Sequence, residues 1–590
     1  MLAVRIYNSG GIGGMYGNKA SISMPSVSES ISLSNSAFSL SPNGKITTTI
    51  ELRSLTAKKY GGMLVVTLFD PEFKKIISSN TVKGLFSSSQ PFTYEVNLLP
   101  KEKKSYQLHC KFTESASGDS IIRTINTAYI LTPAEKATPQ INAVEIYGAR
   151  PGHEFLYKVP ATGRQPLTYK AKGLPTGLQV DAKTGIITGK VSTKGDYNIE
   201  LTVSNSLGVV KKNLLVKIGD RIGFTPALGW NSWNAWGLSV SDEKVRISAK
   251  QMAGKLSAHG WAYINIDDGW EAPQRAANGE MVTNKKFPDM HALSSFVHGL
   301  GLKFGIYSSP GDFTCGGYLG SLDHELQDAQ TYNKWGVDYL KYDWCSYSTV
   351  AGKSPSLDAL KKPYFTMQGA LNQVDRDIIY SLCQYGWGDV YKWGAEVGGN
   401  SWRTTGDIVD TWESMSRIGF AQAKSHPYAT GSGFIDPDML IVGKVGWGPR
   451  LHDTRLTPDE QYFHISLWAL LSSPLLIGCD MGQLDEFTLS LLNNDEVIAI
   501  DQDVKAIQAK QVVATNEHQV WVKELNSGAK AAGIFNTTND YKTITIKWSD
   551  LGVSGYKSIR DVWSQKEIGN FGADFTVKLP PHGVKLVKLH

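Results

Sequence analysis

Between residues 221 and 507, short apolar runs recur, each ending in a polar or aromatic residue and each followed by apolar positions at helical spacing. The runs end near Trp230, Asp268, Ser308, Asp343, Gln384, Asp407, Asp438 and Asp480, on average about 36 residues apart. Eight strand–helix units at that spacing predict a (β/α)8 barrel, and such a barrel works at the C-terminal ends of its strands. Residues 241–259 illustrate the helical half of a unit: Ser241 stands before a helically spaced apolar series, with Asp242 and Glu243 in its first turn.

The barrel is one part of a multidomain chain. Residues 1–135 alternate with period two, as in 26–34 and 45–52, and predict an N-terminal β-sandwich, a candidate carbohydrate-binding domain. Residues 139–219 are dense in turns, with Gly173, Gly177, Gly185 and Gly189 between alternating segments, and resemble the small immunoglobulin-like modules of bacterial surface and secreted enzymes. Residues 508–590 alternate again and predict a C-terminal antiparallel β-domain. None of the 16 Trp precedes residue 221, which sets the aromatic-rich barrel apart from its flanks. The glycine-rich stretch from Gly10 to Gly17 has no Lys-Ser/Thr after it and reads as a loop, not a phosphate cradle.

Composition removes several function classes. A net charge of +5 over 590 residues gives no electrostatic footprint for nucleic acid. No apolar run reaches membrane-spanning length. Residues 1–10 lack the apolar core of a signal peptide. Five Cys without a C-x-x-C pair exclude a disulfide scaffold and give no zinc motif.

The strand ends carry Asp267, Asp268, Asp343, Asp407, Asp436, Asp438 and Asp480. So many acids at one barrel mouth suit either a metal or a polyol. No His or Glu joins them at ligand spacing, so no metal and no cofactor is expected. Neighbouring Trp and Tyr favour a sugar, whose hydrolysis needs a pair of carboxyl groups. Five stretches then coincide: Thr225-Pro-Ala-Leu-Gly-Trp-Asn-Ser-Trp233, Ile264-Asn-Ile-Asp-Asp-Gly-Trp270, Lys341-Tyr-Asp-Trp-Cys345, Trp402-Arg-Thr-Thr-Gly-Asp407 and Asp436-Pro-Asp-Met-Leu440. Together, and in this order, they resemble the signatures of the glycoside hydrolase family 27 α-galactosidases, over residues 221–590.

That resemblance implies a retaining exo-α-galactosidase acting on galactose-containing oligo- or polysaccharides, with Asp343 as nucleophile and Asp407 as acid/base. Lys341, on the same strand face as Asp343, would keep that carboxylate ionised, and the charge on Asp343 would help Asp407 hold its proton. Arg403 would bind the 2-hydroxyl. Asp267 and Asp268 would grip the 4- and 6-hydroxyls, and Trp233, Tyr307, Asp438 and Met439 would line the pocket. Cys315 and Cys345 match a disulfide of relatives, which implies an oxidising compartment, periplasmic or extracellular. Cys383 lacks its family partner, because Gly399 stands in the matching place, and Cys110 and Cys479 read as buried thiols.

Each residue has a plainer role beside the functional one. A lone Asp at a strand end ordinarily caps a helix, the expectation for Asp480, and Asp436 before Pro437 suits a turn. Trp230, Trp236 and Trp270 suit core or pocket equally. The departure from the family lies at Cys383-Gln384-Tyr385-Gly386-Trp387, where many relatives carry Cys-Glu-Trp. Gln384 keeps a hydrogen-bonding group for the 2-hydroxyl without a charge. The bulk of Gln384 and Tyr385 disfavours α-N-acetylgalactosaminidase, and the intact Asp267–Asp268 pair argues against β-L-arabinopyranosidase. A catalytically silent carbohydrate-binding protein remains the alternative of another class. Oligomeric state is not legible.

Overall fold

A computed structural model describes residues 26–590, apart from 37, 42–44 and 430; the Gly10–Gly17 loop lies outside the described residues. The chain forms two compact units, residues 1–101 with 106–127, and residues 102–105 with 128–590.

The first unit is β-rich. Strands Ile31–Asn35, Ser39–Leu40, Ile46–Ser54 and Phe92–Leu98 form one sheet. Strands Lys75–Phe86, Tyr60–Asp70, Gln107–Glu114 and Ser120–Asn126 form the other, with antiparallel pairing. Ile50, Leu52, Leu64, Leu108 and Phe112 are fully buried, as period-two alternation requires. The alternation at 26–34 is strand only in part. Val27–Ser30 is a helical turn, because the Glu29 carboxylate accepts from the Ser26 N–H at 2.8 Å.

In the second unit, residues 128–135, counted with the first domain by pattern, are already tied to the barrel. Tyr129 Oη donates to Asp459 (2.6 Å), Leu131 N to Tyr462 Oη (3.0 Å) and Thr132 Oγ1 to the Ser490 carbonyl (2.7 Å). Residues 140–218 form a small immunoglobulin-like module around Ile187, Val203, Leu214 and Val216. It sits at the N-terminal end of the barrel. Arg150 pairs with Asp377 at 2.8 Å, and Lys158 Nζ donates to Ser257 Oγ at 2.9 Å.

The barrel strands are β1 (Leu228–Asn231), β2 (Tyr263–Asn265), β3 (Lys303–Ser308), β4 (Tyr339–Asp343), β5 (Ile379–Cys383), β6 (Ser401–Arg403), β7 (Phe434–Asp436) and β8 (Leu475–Ile477). They pair in parallel from β7 round to β1 and then β8. Leu440, just past β7, bridges Ile477 and closes the ring, with Leu440 N to Leu476 O at 2.7 Å and Gly478 N to Leu440 O at 2.9 Å. These strands are short and buried on both faces, which is why they read as apolar runs and not as alternation. The expected helix at 241–259 is an α-helix over Asp242–Gln251, capped by Ser241, that continues as a π-turn and a 3-10 turn to His259.

The C-terminal sheet runs Lys510–Ala514, His518–Glu524, Lys530–Asn536, Val584–Leu589, Lys557–Asp561 and Lys566–Phe571, and a separate antiparallel pair joins Lys542–Lys547 to Asp574–Leu579. It packs on the helix Pro458–Leu470, where Trp563 Nε1 donates to Ser466 Oγ at 2.8 Å and Phe535 meets Phe463. No helix among the described residues is long and apolar enough to cross a membrane.

Arg150→Ala removes the guanidinium that, together with His153 and the Arg150 backbone N–H, holds the Asp377 pKa below the ordinary range against burial. Thermal and urea unfolding should register a loss of about 2–3 kcal/mol, the order expected for breaking one side of a part-buried, hydrogen-bonded pair.

Candidate active site

The acids converge at the C-terminal mouth. Asp343 ends β4 and is buried. Its Oδ1 accepts from Tyr385 Oη at 2.8 Å and its Oδ2 from Tyr307 Oη at 3.3 Å. Burial raises its pKa, while the Lys341 cation and the Tyr385 hydroxyl act against the rise. Lys341 is expected to keep Asp343 ionised, and its charge does act in that direction. Its Nζ lies 2.8 Å from Asp267 Oδ2, so it reaches Asp343 only through its field. Burial opposes the ammonium, and Asp267, Cys383 and Asp343 overcome it.

Asp267 is well engaged. It accepts from Asn231 Nδ2 (2.8 Å), Lys341 Nζ (2.8 Å) and the Asp268 N–H (2.9 Å). Asp268 is not. Its Oδ2 accepts from Gly316 N at 2.6 Å, while Oδ1 is buried without a partner among the described residues. Burial pushes this carboxyl up to about 6. Glu271, which the sequence did not single out, pins the same loop by accepting from the Gly269 and Trp270 N–H groups at 3.2 and 3.1 Å.

Across the mouth, Arg403 ends β6 and is buried. Its Nη2 lies 3.0 Å from Asp407 Oδ1 and 3.1 Å from Asp438 Oδ2. Arg403 Nε and both amide atoms of the buried Gln384 have no partner among the described residues. Asp407 stands four residues past the end of β6, with its side chain 65% exposed. Burial tends to raise its pKa, but Arg403 and Lys341 prevail and lower it. Against the expectation that Asp343 would help Asp407 hold a proton, the net effect on Asp407 is set by the two cations and favours the ionised form.

Asp438, at φ 82°, accepts from Ile408 N and Met439 N at 2.9 Å each, and so ties the loop after β7 to the one after β6. Met439 does not line the mouth. It is buried with Tyr339, Ile379 and Leu476 as part of the barrel's packed interior. Trp233 is half-buried, opening a helical turn whose N–H donates to Asn231 Oδ1 at 2.9 Å. Trp230 and Trp270 are core, with indole N–H groups bonded to the Cys479 and Tyr307 carbonyls. Asp480 caps a turn by accepting from Gly482 N. Asp436 accepts from Asp438 N at 2.8 Å.

Cys315 and Cys345 form a disulfide between the loops after β3 and β4, while Cys110, Cys383 and Cys479 are free and buried. Cys345 Sγ is 3.2 Å from Tyr307 Oη and Cys315 Sγ is 3.7 Å from Tyr385 Oη, so the bridge braces both tyrosines that hold Asp343. Among the described residues the grouping tight enough for a metal is Cys315, Cys345 and Asp343, and its sulfurs are spent in that bridge. A cavity of about 340 Å³ lies at the opposite end, lined by Tyr147, Lys158, Tyr263 and Lys303. It contains none of the motif acids, so the chemistry belongs to the mouth.

Comparison with known proteins assigns the barrel and its flanking domains to described families. The family model described as Alpha galactosidase A matches residues 225–503, and the Alpha galactosidase C-terminal beta sandwich domain matches 515–589. An Ig domain model matches 138–218. The α-galactosidase of Cyamopsis tetragonoloba is 39% identical over 374 residues, covering 62% of this chain and 87% of that protein. The chain belongs to the glycoside hydrolase family 27 α-galactosidases. A Bacteroides fragilis structure, solved as a candidate α-galactosidase/melibiase, is 36% identical with a TM-score of 0.73, covering 77% of this chain and 98% of that one. The α-galactosidase I of Mortierella vinacea is 32% identical with a TM-score of 0.59, covering 62% and 97%.

Tyr385 is the site residue that sequence reasoning missed, naming it only for bulk. It sits at φ 64°, and the next residue, Gly386, at φ 89°. A Cβ on Gly386 would fall 2.1 Å from the Thr404 carbonyl oxygen. The signal available was that lone Gly after the aromatic. Tyr385→Phe removes a donor that lowers the Asp343 pKa. The pH limb governed by Asp343 should therefore move to higher pH, with kcat reduced about tenfold or more; a pH series of initial rates measures both.

Proposed function

We propose that the protein is a retaining exo-α-galactosidase that removes terminal α-D-galactosyl groups from oligo- or polysaccharides. The observation that carries this is Asp343: a buried carboxylate at the end of β4, held by two tyrosine hydroxyls and opposed by the exposed Asp407, in a chain of the α-galactosidase family.

In the first displacement an Asp343 oxygen bonds to the anomeric carbon while the glycosidic C–O bond breaks, and Asp407 gives its proton to the departing oxygen. In the second, Asp407 takes a proton from water as the water oxygen bonds to the anomeric carbon and Asp343 leaves. Two inversions return the α-anomer. The unpartnered Asp268 Oδ1 and the spare Lys341 N–H groups suit the 4- and 6-hydroxyls, while Arg403 Nε and Gln384 suit the 2-hydroxyl. A buried, uncommitted Gln384 favours a hydroxyl there over an acetamido group. The disulfide supports a periplasmic or extracellular location.

The free-state pKa order is inverted relative to these roles, with Asp343 raised and Asp407 lowered. The active form, Asp343 ionised and Asp407 protonated, is therefore the minor singly protonated form. Below the lower pKa both groups are protonated, and above the higher both are ionised. The profile of kcat/KM against pH should accordingly be a bell whose acid limb lies below the ordinary carboxylate range and whose alkaline limb lies above it.

Initial rates on matched aryl glycosides of α-D-galactose, α-N-acetylgalactosamine and β-L-arabinopyranose test the substrate. Strong preference for the first is expected, with α-galactose as the first-formed anomer by NMR. Asp343→Ala should fold and lose at least about a thousandfold in kcat; near-parental turnover would remove the nucleophile assignment.

A further inference from the structure

After β5 the chain turns through Tyr385 and Gly386, both left-handed, and then presents Trp387 with 44% of its surface exposed. A single exposed aromatic is ordinary on a protein surface, but this one is held in place. Its ring meets Trp344 edge-on (5.9 Å, 72°) and Tyr385 likewise (6.0 Å, 61°). Its N–H donates to the Gln384 carbonyl at 3.3 Å. Trp344, directly after Asp343, is itself packed against Tyr347 and Tyr364.

Its position is specific. Tyr385 Oη touches Asp343, and Gly386 lies against the Thr404 carbonyl, three residues before Asp407. Trp387 therefore stands on the loop that reaches the nucleophile through Tyr385 and rests on the segment leading to Asp407, with its ring against the residue following Asp343. The Asp267–Asp268 end is bordered by a different exposed apolar residue, Leu238, whose Cδ2 and Asp268 Oδ2 both crowd Gly316. On the α-galactosidase reading, the leaving group lies on the side of the two carboxylates, where this loop borders the mouth.

We propose that Trp387 is the platform of a subsite for the leaving group, stacking its free ring surface on the flat face of a pyranose or aryl aglycone. This rests on the α-galactosidase reading. Sugar C–H faces and aryl rings share the chemistry the indole recognises, a broad apolar face with no charge. The ring makes its contact beyond the bond that breaks, so it acts on substrates that carry a ring there.

The test is the ratio of kcat/KM for melibiose, whose leaving group is a pyranose, to that for α-galactosyl fluoride, whose leaving group has no ring. In Trp387→Ala this ratio should fall by about three- to tenfold. Trp387→Leu keeps apolar bulk against Trp344 and should fall similarly. Trp387→Phe keeps a flat ring and should stay within about twofold of the parent. An unchanged ratio in the Ala and Leu variants, whether or not both rates drop together, overturns the subsite and leaves the ring a support for Tyr385. A folded parent that hydrolyses neither substrate removes the α-galactosidase reading itself, a different failure from an unchanged ratio.

Discussion

The buried carboxylates of Asp267, Asp343, Asp436 and Asp438 share two buried cations, Lys341 and Arg403. Burying a carboxylate without compensation costs several kcal/mol, so these cations and the surrounding N–H donors are what allow the acids to exist at the bottom of the mouth. Lys341 is spent mainly on Asp267, and Arg403 on Asp438 and Asp407. Asp343 is left with tyrosine hydroxyls and the fields of both cations. A carboxylate held by neutral donors keeps more of its basicity than one locked in an ion pair, which is what a nucleophile requires.

Rigidity around Asp343 comes from loops that cross-brace one another. The disulfide ties the β3 and β4 loops beside both tyrosines. Gly386 lets the β5 loop lie on the β6 loop, and Asp438 ties the β7 loop to the residue following Asp407. Each connection is made by an atom with no steric alternative: a Gly without Cβ, a backbone N–H or a covalent bond. The scaffold strands fix where each loop begins, and these contacts fix where it ends.

The barrel was legible because parallel strands buried on both faces leave a simple trace, and eight of them leave a period. The acid motifs were legible because their spacing survives in one dimension. What was not legible depends on contacts between distant loops. Tyr385 reads as bulk until Gly386 is seen against Thr404. Met439, next to a mouth residue, turns inward because Asp438 at positive φ redirects the chain. Lys341 shares a strand face with Asp343, yet the cation goes to the acid at the end of β2, a choice set by barrel geometry. Residues 128–135 carry no pattern that announces their hydrogen bonds to the helix Pro458–Leu470 and to Ser490.

The same guanidinium links binding to protonation. In the free protein Arg403 lies 3.0 Å from Asp407 and lowers its pKa. In the proposed function it is Arg403 Nε, without a partner among the described residues, that suits the 2-hydroxyl of a bound galactoside, while Nη2 serves Asp407. Reciprocity requires that a ligand which weakens this contact raises the Asp407 pKa, and that protonating Asp407 strengthens binding by the same factor. The buried Arg403 thus offers one nitrogen to Asp407 and leaves another without a partner among the described residues, so one cation serves both the acid and the open part of the mouth. In the free protein the Arg403 and Lys341 cations outweigh burial and favour the ionised form of this carboxyl.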